Sequence, residues 1–227
     1  MVKVDEGDPK YGPLEAPYTK LYSFGTSNGK KIFILLRLLG KEDYFYRPMD
    51  MEVEMEQKQS WFIKLNPNGR FPVLSEVDSN GKQIILHETG VISQWIADKY
   101  DVERKYSYNH DDPLWWEQSQ WLTFQVASHS PIQGQTHHFQ SFSDVDDEYG
   151  KKRFQDELKR IYDVYEKRLT INNGWLVGDH LNIADINAFP WVSRCEFAKI
   201  SLDEFPILKK WHDKIAAIPE VQEAMLI

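Results

Sequence analysis

A turn near the amino end of the chain combines two hydroxyls and a carboxamide at the start of a predicted helix. Residues 25–30 follow a strand-like run over residues 19–23 and precede an apolar helical stretch that Gly40 closes. The free N–H groups and positive dipole end of such a helix start stabilise an anion. The glycine spacing fits neither a phosphate loop nor a dinucleotide fingerprint. The turn therefore indicates either an anion site or a helix start that Ser27 or Asn28 simply caps.

Two further segments carry groups suited to a peptide-like ligand. The Phe71-Pro72 bond opens a predicted internal strand, where proline fits poorly unless the bond is cis or its missing N–H faces outward. A cis bond would turn the N–H and C=O of Phe71 toward a ligand, whereas a trans edge-strand proline would carry no such role. Glu88 and Thr89 begin another predicted helix, where the pair can take the ammonium and carboxylate ends of an amino acid. The alternative is that both residues only cap this helix.

Metal and sulfur chemistry have few residues to draw on. Cys195 is the single cysteine, so an internal disulfide, a Cys-x-x-Cys redox pair and a thiolate zinc site are excluded. His137 and His138 are adjacent, and His129 lies eight positions before His137, which is not the spacing of a helical metal site. We therefore predict no metal, and any redox chemistry must take its sulfur from another molecule.

Composition and charge are typical of a globular chain without a nucleic-acid or membrane partner. The 227 residues are 41% hydrophobic and 27% charged, with a formal net charge of −8. Residues 101–227 contain 14 Lys and Arg against 21 Asp and Glu, which argues against a basic face for a nucleic acid. No apolar run approaches the ~20 residues that span a bilayer, and the acidic amino terminus lacks the apolar core of a signal peptide. A cytoplasmic protein is expected.

Hydrophobic periodicity divides the chain into two folded parts. Residues 1–17 contain three prolines and are predicted to be an irregular extension outside the core. Residues 18–100 predict the order βαβ followed by ββα, with strands near residues 19–23, 43–49, 71–77 and 83–87 and helices near 31–39, within 52–65 and near 88–100. Residues 101–112 are predicted to be a polar linker. Residues 113–227 predict a bundle of helices only, near residues 114–128, 151–169, 183–197 and 207–218.

The helical part has two notable features of its own. It holds six of the eight tryptophans, whose large apolar area can build a core or line a pocket. Within it, Asn182 and Asp185 have the spacing of a capping box, and Leu181 and Ile186 the spacing of a hydrophobic staple. We expect this second feature to be structural.

Several segments together resemble the glutathione transferases. The segments are residues 66–74 (Asn-Pro-Asn-Gly-Arg-Phe-Pro-Val-Leu), Glu88-Thr89-Gly90, and residues 175–185 with Trp-Leu-Val-Gly-Asp and Ile-Ala-Asp. Residues 26–31 and 134–139 resemble segments of the nu class and of the fungal enzymes akin to the yeast nitrogen-regulating prion protein. The resemblance covers about residues 18–225. It implies a thioredoxin-like glutathione-binding domain at residues 18–100 and an all-helical domain at residues 113–227.

The resemblance also implies roles for individual residues, with glutathione as co-substrate. Asn28 is expected at the glutathione thiol as the catalytic donor, with Thr26 as a second donor candidate. The expected glutathione-binding residues are Ser27, Asn28, Gln57, Lys58, Arg70, Phe71, Glu88 and Thr89. Ser27 replaces the usual proline of the turn, and Phe71 replaces the usual valine or isoleucine. The turn has no tyrosine or cysteine, so the tyrosine-type and cysteine-type mechanisms of other classes do not apply.

The activity implied is attack of glutathione on an electrophile or a disulfide, with peroxide reduction as a further activity. An apolar co-substrate is expected in an aromatic cleft formed by Trp121, Phe124, His129 and His137. The resemblance also implies a homodimer. The alternative is a glutathione-binding regulatory or ligand-carrying protein with little catalysis. The yeast regulator carries an Asn/Gln-rich segment, whereas residues 1–17 here contain neither residue.

Overall fold

A four-stranded mixed sheet forms the centre of the amino-terminal part in the computed structural model, which describes residues 7–227. Its strands are β1 (Tyr18–Ser23), β2 (Phe45–Pro48), β3 (Val73–Val77) and β4 (Gln83–His87), in the spatial order β2-β1-β3-β4. β1 pairs in parallel with β2 and antiparallel with β3, and β3 pairs antiparallel with β4. The βαβ-ββα prediction is confirmed.

Three helices accompany the sheet: α1 (Ser27–Leu38), α2 (Ser60–Ile63) and α3 (Thr89–Tyr100). Gly40 ends α1 at φ +61°, as its position predicts. The helix expected within residues 52–65 is the short α2, which follows a 3₁₀ turn at Glu56–Lys58. The Asp50 carboxylate accepts the backbone N–H groups of Glu52 and Val53, both over 2.9 Å, and so holds the preceding stretch in a loop.

The carboxy-terminal part is helical. Its helices are α4 (Pro113–Phe124), α5 (Ser130–His137), α6 (Glu148–Ile171), α7 (Ile183–Val192), α8 (Pro206–Ala216) and α9 (Pro219–Met225). Helices α5 and α9 were not predicted from the sequence, although a proline lies in the first turn of each. The predicted helix over residues 183–197 was too long, whereas the backbone stays helical over the whole of residues 114–128. A wider π-type turn at Gln125–His129 follows α4, and α7 ends before Ser193.

One apolar core runs through both parts, because α1 lies against α7 and α9. The capping box at the start of α7 is confirmed: Asn182 accepts from the Ala184 N–H over 3.1 Å, and Asp185 accepts from the Asn182 N–H over 3.3 Å. Asp185 also accepts the Trp211 indole N–H over 2.8 Å. Burial nevertheless raises the pKa of Asp185 to about 7. This carboxyl group ties α7 to α8 and has a structural role.

The stretch between α3 and α4 contains no helix or strand yet is held in place by one carboxylate. Asp101 is buried and accepts the backbone N–H groups of Lys105 and Tyr106 over 2.9 and 2.8 Å. It also accepts the Ser107 hydroxyl over 2.7 Å. The polar composition of residues 101–112 thus serves an internal hydrogen-bond network as well as contact with water.

The amino-terminal extension is partly integrated into the fold. Residues 1–6 lie outside the described residues. Residues 8–17 contain no helix or strand, but Asp8 is buried and accepts from Lys20 Nζ over 3.1 Å and from Arg47 Nε over 3.0 Å. The expectation that the extension stays outside the core is wrong for Asp8, because two buried cations of the sheet require an acidic partner.

Candidate active site

Three loop segments meet at one edge of the sheet. Tyr22 at the end of β1 pairs with Val73 at the start of β3, and Val73 pairs with His87 at the end of β4. The chain therefore leaves β1, enters β3 and leaves β4 side by side. The turn of Thr26 and Asn28, the Phe71-Pro72 segment and the Glu88-Thr89 segment all lie just beyond this edge. Strand pairing thus brings together the three segments that the sequence analysis singled out.

The start of α1 is capped by Thr26. Its side-chain oxygen accepts the Gly29 N–H over 3.2 Å, so neither Ser27 nor Asn28 has the capping role considered above. Gly29 is required here, because a Cβ at this position would lie 2.0 Å from the Phe24 carbonyl oxygen. Thr26 keeps its hydroxyl proton available for donation. Asn28 is free of the backbone and half-buried.

The Asn28 side chain contacts the helical part of the chain. Its Oδ1 accepts the Trp191 indole N–H over 2.9 Å. Among the described residues, its Nδ2 has no hydrogen-bond partner. This role of Trp191 was not predicted, since no local spacing in the sequence links it to a turn 163 residues away.

The start of α3 is built differently. Glu88 has φ +71°, a backbone conformation costly for a residue with a side chain, and its carboxylate makes no capping bond. That carboxylate is 59% exposed. Thr89 is buried, and its Oγ1 accepts from Lys31 Nζ over 3.1 Å. The capping alternative therefore fails for Glu88, which presents its carboxylate to solvent beside the free N–H groups of a helix start.

Lys31 is a second residue whose contribution the sequence analysis missed. Its side chain is fully buried, and Nζ donates to Thr89 Oγ1 and, over 2.7 Å, to Gln125 Oε1. Desolvation holds the pKa of Lys31 well below its usual range, with the nearby Glu88 charge acting in the opposite direction. Lys31 thus connects α1, the start of α3 and the turn after α4.

The loop before β3 carries the remaining predicted contacts. The Phe71-Pro72 bond is cis, and a ligand role for the Phe71 backbone stays a prediction. Lys58 Nζ donates to the Gly69 carbonyl over 3.1 Å, and Arg70 is exposed. Gln57 is buried with its Oε1 unpartnered among the described residues, which is unusual for a buried amide. This oxygen is a candidate acceptor for a ligand N–H.

The two histidines expected to line a cleft are packed inside the helical part. His129 is fully buried, with Nε2 2.7 Å from Gln133 Oε1 and Nδ1 3.1 Å from the Tyr165 hydroxyl. Burial lowers the pKa of His129 to about 3 and that of His137 to about 4. The pocket role is wrong for His129, because both ring nitrogens are occupied and no surface is exposed.

His137 also has a packing role, since it is only 8% exposed and stacks on Trp191. Trp121 and Phe124 are partly buried and contact each other, with ring centroids 5.6 Å apart. Their place in a co-substrate cleft stays a prediction.

Two cationic side chains, Lys30 and Arg194, lie close to each other near the start of α1. Lys30 Nζ donates to the Met225 carbonyl over 2.7 Å, and its pKa is lowered by partial burial and by the charge of Arg194. Within residues 7–227, neither cation has a carboxylate partner in an ion pair. The two side chains and the dipole of α1 favour an anion at this turn.

Two further properties bear on the class of protein. The described part of the chain contains no group of three or more His, Cys, Asp or Glu side chains placed to hold a metal ion. None of its helices is long and apolar enough to cross a membrane.

Sequence comparison relates the chain to characterised proteins. The family models for the glutathione S-transferase N-terminal and C-terminal domains match residues 21–105 and 129–219. The disulfide-bond oxidoreductase YfcG of Escherichia coli is 31% identical over 209 residues, which cover 91% of this chain and 94% of the relative. Glutathione S-transferase 2 of Schizosaccharomyces pombe is 32% identical over 223 residues, which cover 89% of this chain and 92% of the relative.

A solved structure agrees with this relation. A glutathione transferase homologue from Lodderomyces elongisporus, crystallised with two GSH per subunit, has a TM-score of 0.87 and 37% identity. The match covers 94% of this chain and 99% of that structure. Both domain families, the relatives and the shared fold lead to one conclusion: the chain belongs to the glutathione transferase family.

Proposed function

We propose that this protein binds glutathione along the sheet edge and activates its thiol with the Asn28 side-chain amide. The observation that carries the proposal is the unpartnered Asn28 Nδ2 at a helix start among cationic side chains. Thr26 and Ser27 complete the turn, and the Thr26 hydroxyl is the second candidate donor. The support from relatives is that the Lodderomyces elongisporus homologue was crystallised with glutathione.

The remaining contacts follow the geometry of the three segments. The Glu88 carboxylate takes the γ-glutamyl ammonium group, and the Thr89 N–H and hydroxyl take its carboxylate. The Phe71 backbone holds the cysteinyl residue by its N–H and C=O. Gln57, Lys58 and Arg70 border the other end of the peptide. These assignments extend the family pattern to residues that the fold brings to one edge.

The energy needed for thiol activation is modest. A free thiol of pKa ~8.5 is about 3% ionised at pH 7, and lowering the pKa by two units makes it roughly three-quarters ionised. Two units correspond to ~2.7 kcal/mol, and a hydrogen bond to a charged group supplies ~1.5–3 kcal/mol. One amide donor with the dipole of α1 is therefore sufficient without a general base.

Disulfide reduction is the proposed reaction. The glutathione thiolate attacks one sulfur of the disulfide, forms a mixed disulfide and releases the other sulfur as a thiolate that takes a proton. A second glutathione thiolate then attacks the mixed disulfide, which yields glutathione disulfide and the second free thiol. Cys195 is not needed, and burial raises the pKa of its thiol. The Escherichia coli relative is named a disulfide-bond oxidoreductase, which supports this reaction.

Other aspects of the proposal rest on the family resemblance. The protein acts as a homodimer in the cytoplasm, takes an apolar or disulfide co-substrate beside Trp121 and Phe124, and has peroxidase activity as a secondary reaction. The regulatory alternative has no better support: a transcriptional regulator of Saccharomyces cerevisiae is 30% identical, and the two enzymes compared above are 31% and 32% identical.

The experiment that tests the proposal measures glutathione binding by calorimetry and turnover with a disulfide, a hydroperoxide and an aromatic halide in parallel. We expect binding and disulfide turnover in the wild-type protein and loss of turnover in Asn28→Ala. Binding without turnover on any of the three substrates contradicts the enzyme proposal and supports the regulatory alternative. Full activity in Asn28→Ala contradicts the role of the amide.

A further inference from the structure

Trp191 lies on α7, and its side chain reaches across to the turn that begins α1. Its indole N–H donates to Asn28 Oδ1 over 2.9 Å. An indole nitrogen is a donor only. The Asn28 amide therefore has one permitted orientation, because the flipped amide would direct its own NH2 group at another donor.

This orientation determines what Asn28 offers to a ligand. With the oxygen engaged by the indole, the NH2 group is the polar end that remains available, and no described residue accepts from it. A thiolate accepts hydrogen bonds from an NH2 group and is repelled by an amide oxygen. Only the orientation that the indole enforces is useful for thiol activation.

Residues of α5 pack against Trp191 and donate a hydrogen bond to its backbone. Its ring stacks on His137, with centroids 6.0 Å apart and planes 20° from parallel. Gln133 Nε2 donates to the Trp191 carbonyl over 2.6 Å, and Gln133 Oε1 lies 2.7 Å from His129 Nε2. These contacts with His137 and Gln133, which both lie on α5, thus hold the Trp191 side chain in place.

We infer that Trp191 is a positioning residue that fixes the Asn28 amide with its NH2 group toward the glutathione thiol. The inference rests on the proposed role of Asn28 and adds the group that sets its direction. Without the indole N–H, the amide can rotate and present its oxygen to the thiol for part of the time. The thiol is then less acidic, while glutathione binding at α3 is unaffected.

The test is the pKa of the bound glutathione thiol, followed by thiolate absorbance over a pH series in wild type, Trp191→Phe, Asn28→Ala and the double variant. Trp191→Phe keeps an aromatic ring against His137 and removes the donor. We expect it to raise the thiol pKa by about one unit and to lower kcat/KM at neutral pH about tenfold, with a rise of only about threefold in the Kd for glutathione, as proton linkage requires for this pKa change. The double variant should match Asn28→Ala, because Trp191 acts only through Asn28.

Trp95→Phe is the matched control. It also removes an indole N–H, which donates to Glu76 Oε2 over 2.7 Å outside the site, and it should keep the wild-type thiol pKa. A wild-type thiol pKa in Trp191→Phe overturns the inference if Asn28→Ala raises that pKa. A double variant with a larger shift than Asn28→Ala overturns it as well. An unchanged thiol pKa in Asn28→Ala instead refutes the proposed function itself.

A second measurement leaves Trp191 intact and so does not depend on the folding of a tryptophan variant. In ¹⁵N-labelled protein, the Trp191 indole N–H resonance should move in Asn28→Ala and exchange faster with water, because its acceptor is gone. The Trp95 indole resonance should not change. If the Trp191 indole resonance keeps its position and its exchange rate in Asn28→Ala, the inference is overturned.

Discussion

The starts of α1 and α3 lie at the same sheet edge but are prepared for a ligand in different ways. At α1, Thr26 satisfies the backbone, and Asn28 is held by Trp191 from the helical part of the chain. At α3, the Glu88 side chain makes no capping bond, and the buried Lys31 donates a hydrogen bond to the Thr89 hydroxyl. The first arrangement is suited to one hydrogen bond to a reacting atom, and the second to binding a charged, unreactive end.

The two helix starts also share one hydrogen-bond arrangement. In each, another side chain donates a hydrogen bond to the oxygen of the candidate ligand-binding residue. The Trp191 indole donates to Asn28, and Lys31 Nζ donates to Thr89. The hydrogens of the amide and of the hydroxyl are then what the site offers. Both helix starts therefore present donors to an anion, and under the proposed function one donor acts on catalysis and the other on affinity.

The comparison is tested most strongly by Asn28→Ala. Loss of a hydrogen bond to a thiolate, worth ~1.5–3 kcal/mol, should lower kcat/KM for disulfide reduction about 10- to 100-fold. The Kd for glutathione at pH 7 should rise only about fourfold, because a bound thiol whose pKa returns from about 6.5 to ~8.5 loses that much of its thiolate binding. Steady-state kinetics with calorimetric binding measure both values. Asn80→Ala, in the hairpin at the far end of β3 and β4, is the control and should behave as wild type.

Glu88→Gln tests the other helix start. It removes the charge that pairs with the γ-glutamyl ammonium group, so the KM for glutathione should rise about tenfold while kcat stays near wild type. Glu103→Gln changes an exposed glutamate in the stretch between α3 and α4 and serves as the control. A fall in kcat at saturating glutathione would remove the distinction between the two helix starts.

Lys31→Met tests the role of the buried lysine that donates to Thr89 at the start of α3. Thr89 loses the donor that fixes its hydroxyl, so glutathione affinity should fall a few-fold. The pKa of Lys31 is depressed in the folded protein, so the unfolded chain binds more protons below pH ~10.4, and wild-type stability rises with pH toward that value. Denaturant unfolding between pH 8 and pH 10 should show a weaker rise in Lys31→Met. An identical rise would mean that Lys31 does not carry this depressed pKa.

Changes to the buried side chains that pack near Trp191, such as His129, should have the smallest effect on catalysis and should act on stability instead. His129 has a pKa of about 3 when folded and ~6.5 when unfolded, so the unfolded chain binds the extra proton between these values. Its contribution to stability is therefore full above pH ~6.5 and is lost as the pH falls toward 3, at about 1.4 kcal/mol per pH unit. Denaturant unfolding at pH 4.5 to 6.5 should show a shallower slope for His129→Asn. An unchanged slope would contradict the neutral, buried state of this ring.

Local sequence signals predicted the sheet and its edge. Asn80-Gly81 indicated the hairpin, Gly40 the end of α1, and Asn182 with Asp185 the cap of α7, because each depends on neighbours a few residues away. The candidate site was found only in part. The Trp191–Asn28 and Lys31–Gln125 contacts join residues 163 and 94 positions apart, and tertiary packing alone creates them.

The errors have the same origin. Thr26, not Ser27 or Asn28, caps α1, because the close approach of Gly29 to Phe24 fixes where the helix begins. His129 was expected in a cleft, but the packing of α5 against α6 buries it. When the hydrogen-bond partners of a histidine are uncharged, the neighbouring sequence does not show whether the ring is buried or faces a ligand.

The pKa of the glutathione thiol in the binary complex tests the central claim most directly. We predict a value about two units below the ~8.5 of a free thiol in the wild-type protein, and a return most of the way to that value in Asn28→Ala. A wild-type thiol pKa near 8.5, or the same depressed value in both proteins, would contradict activation by the Asn28 amide.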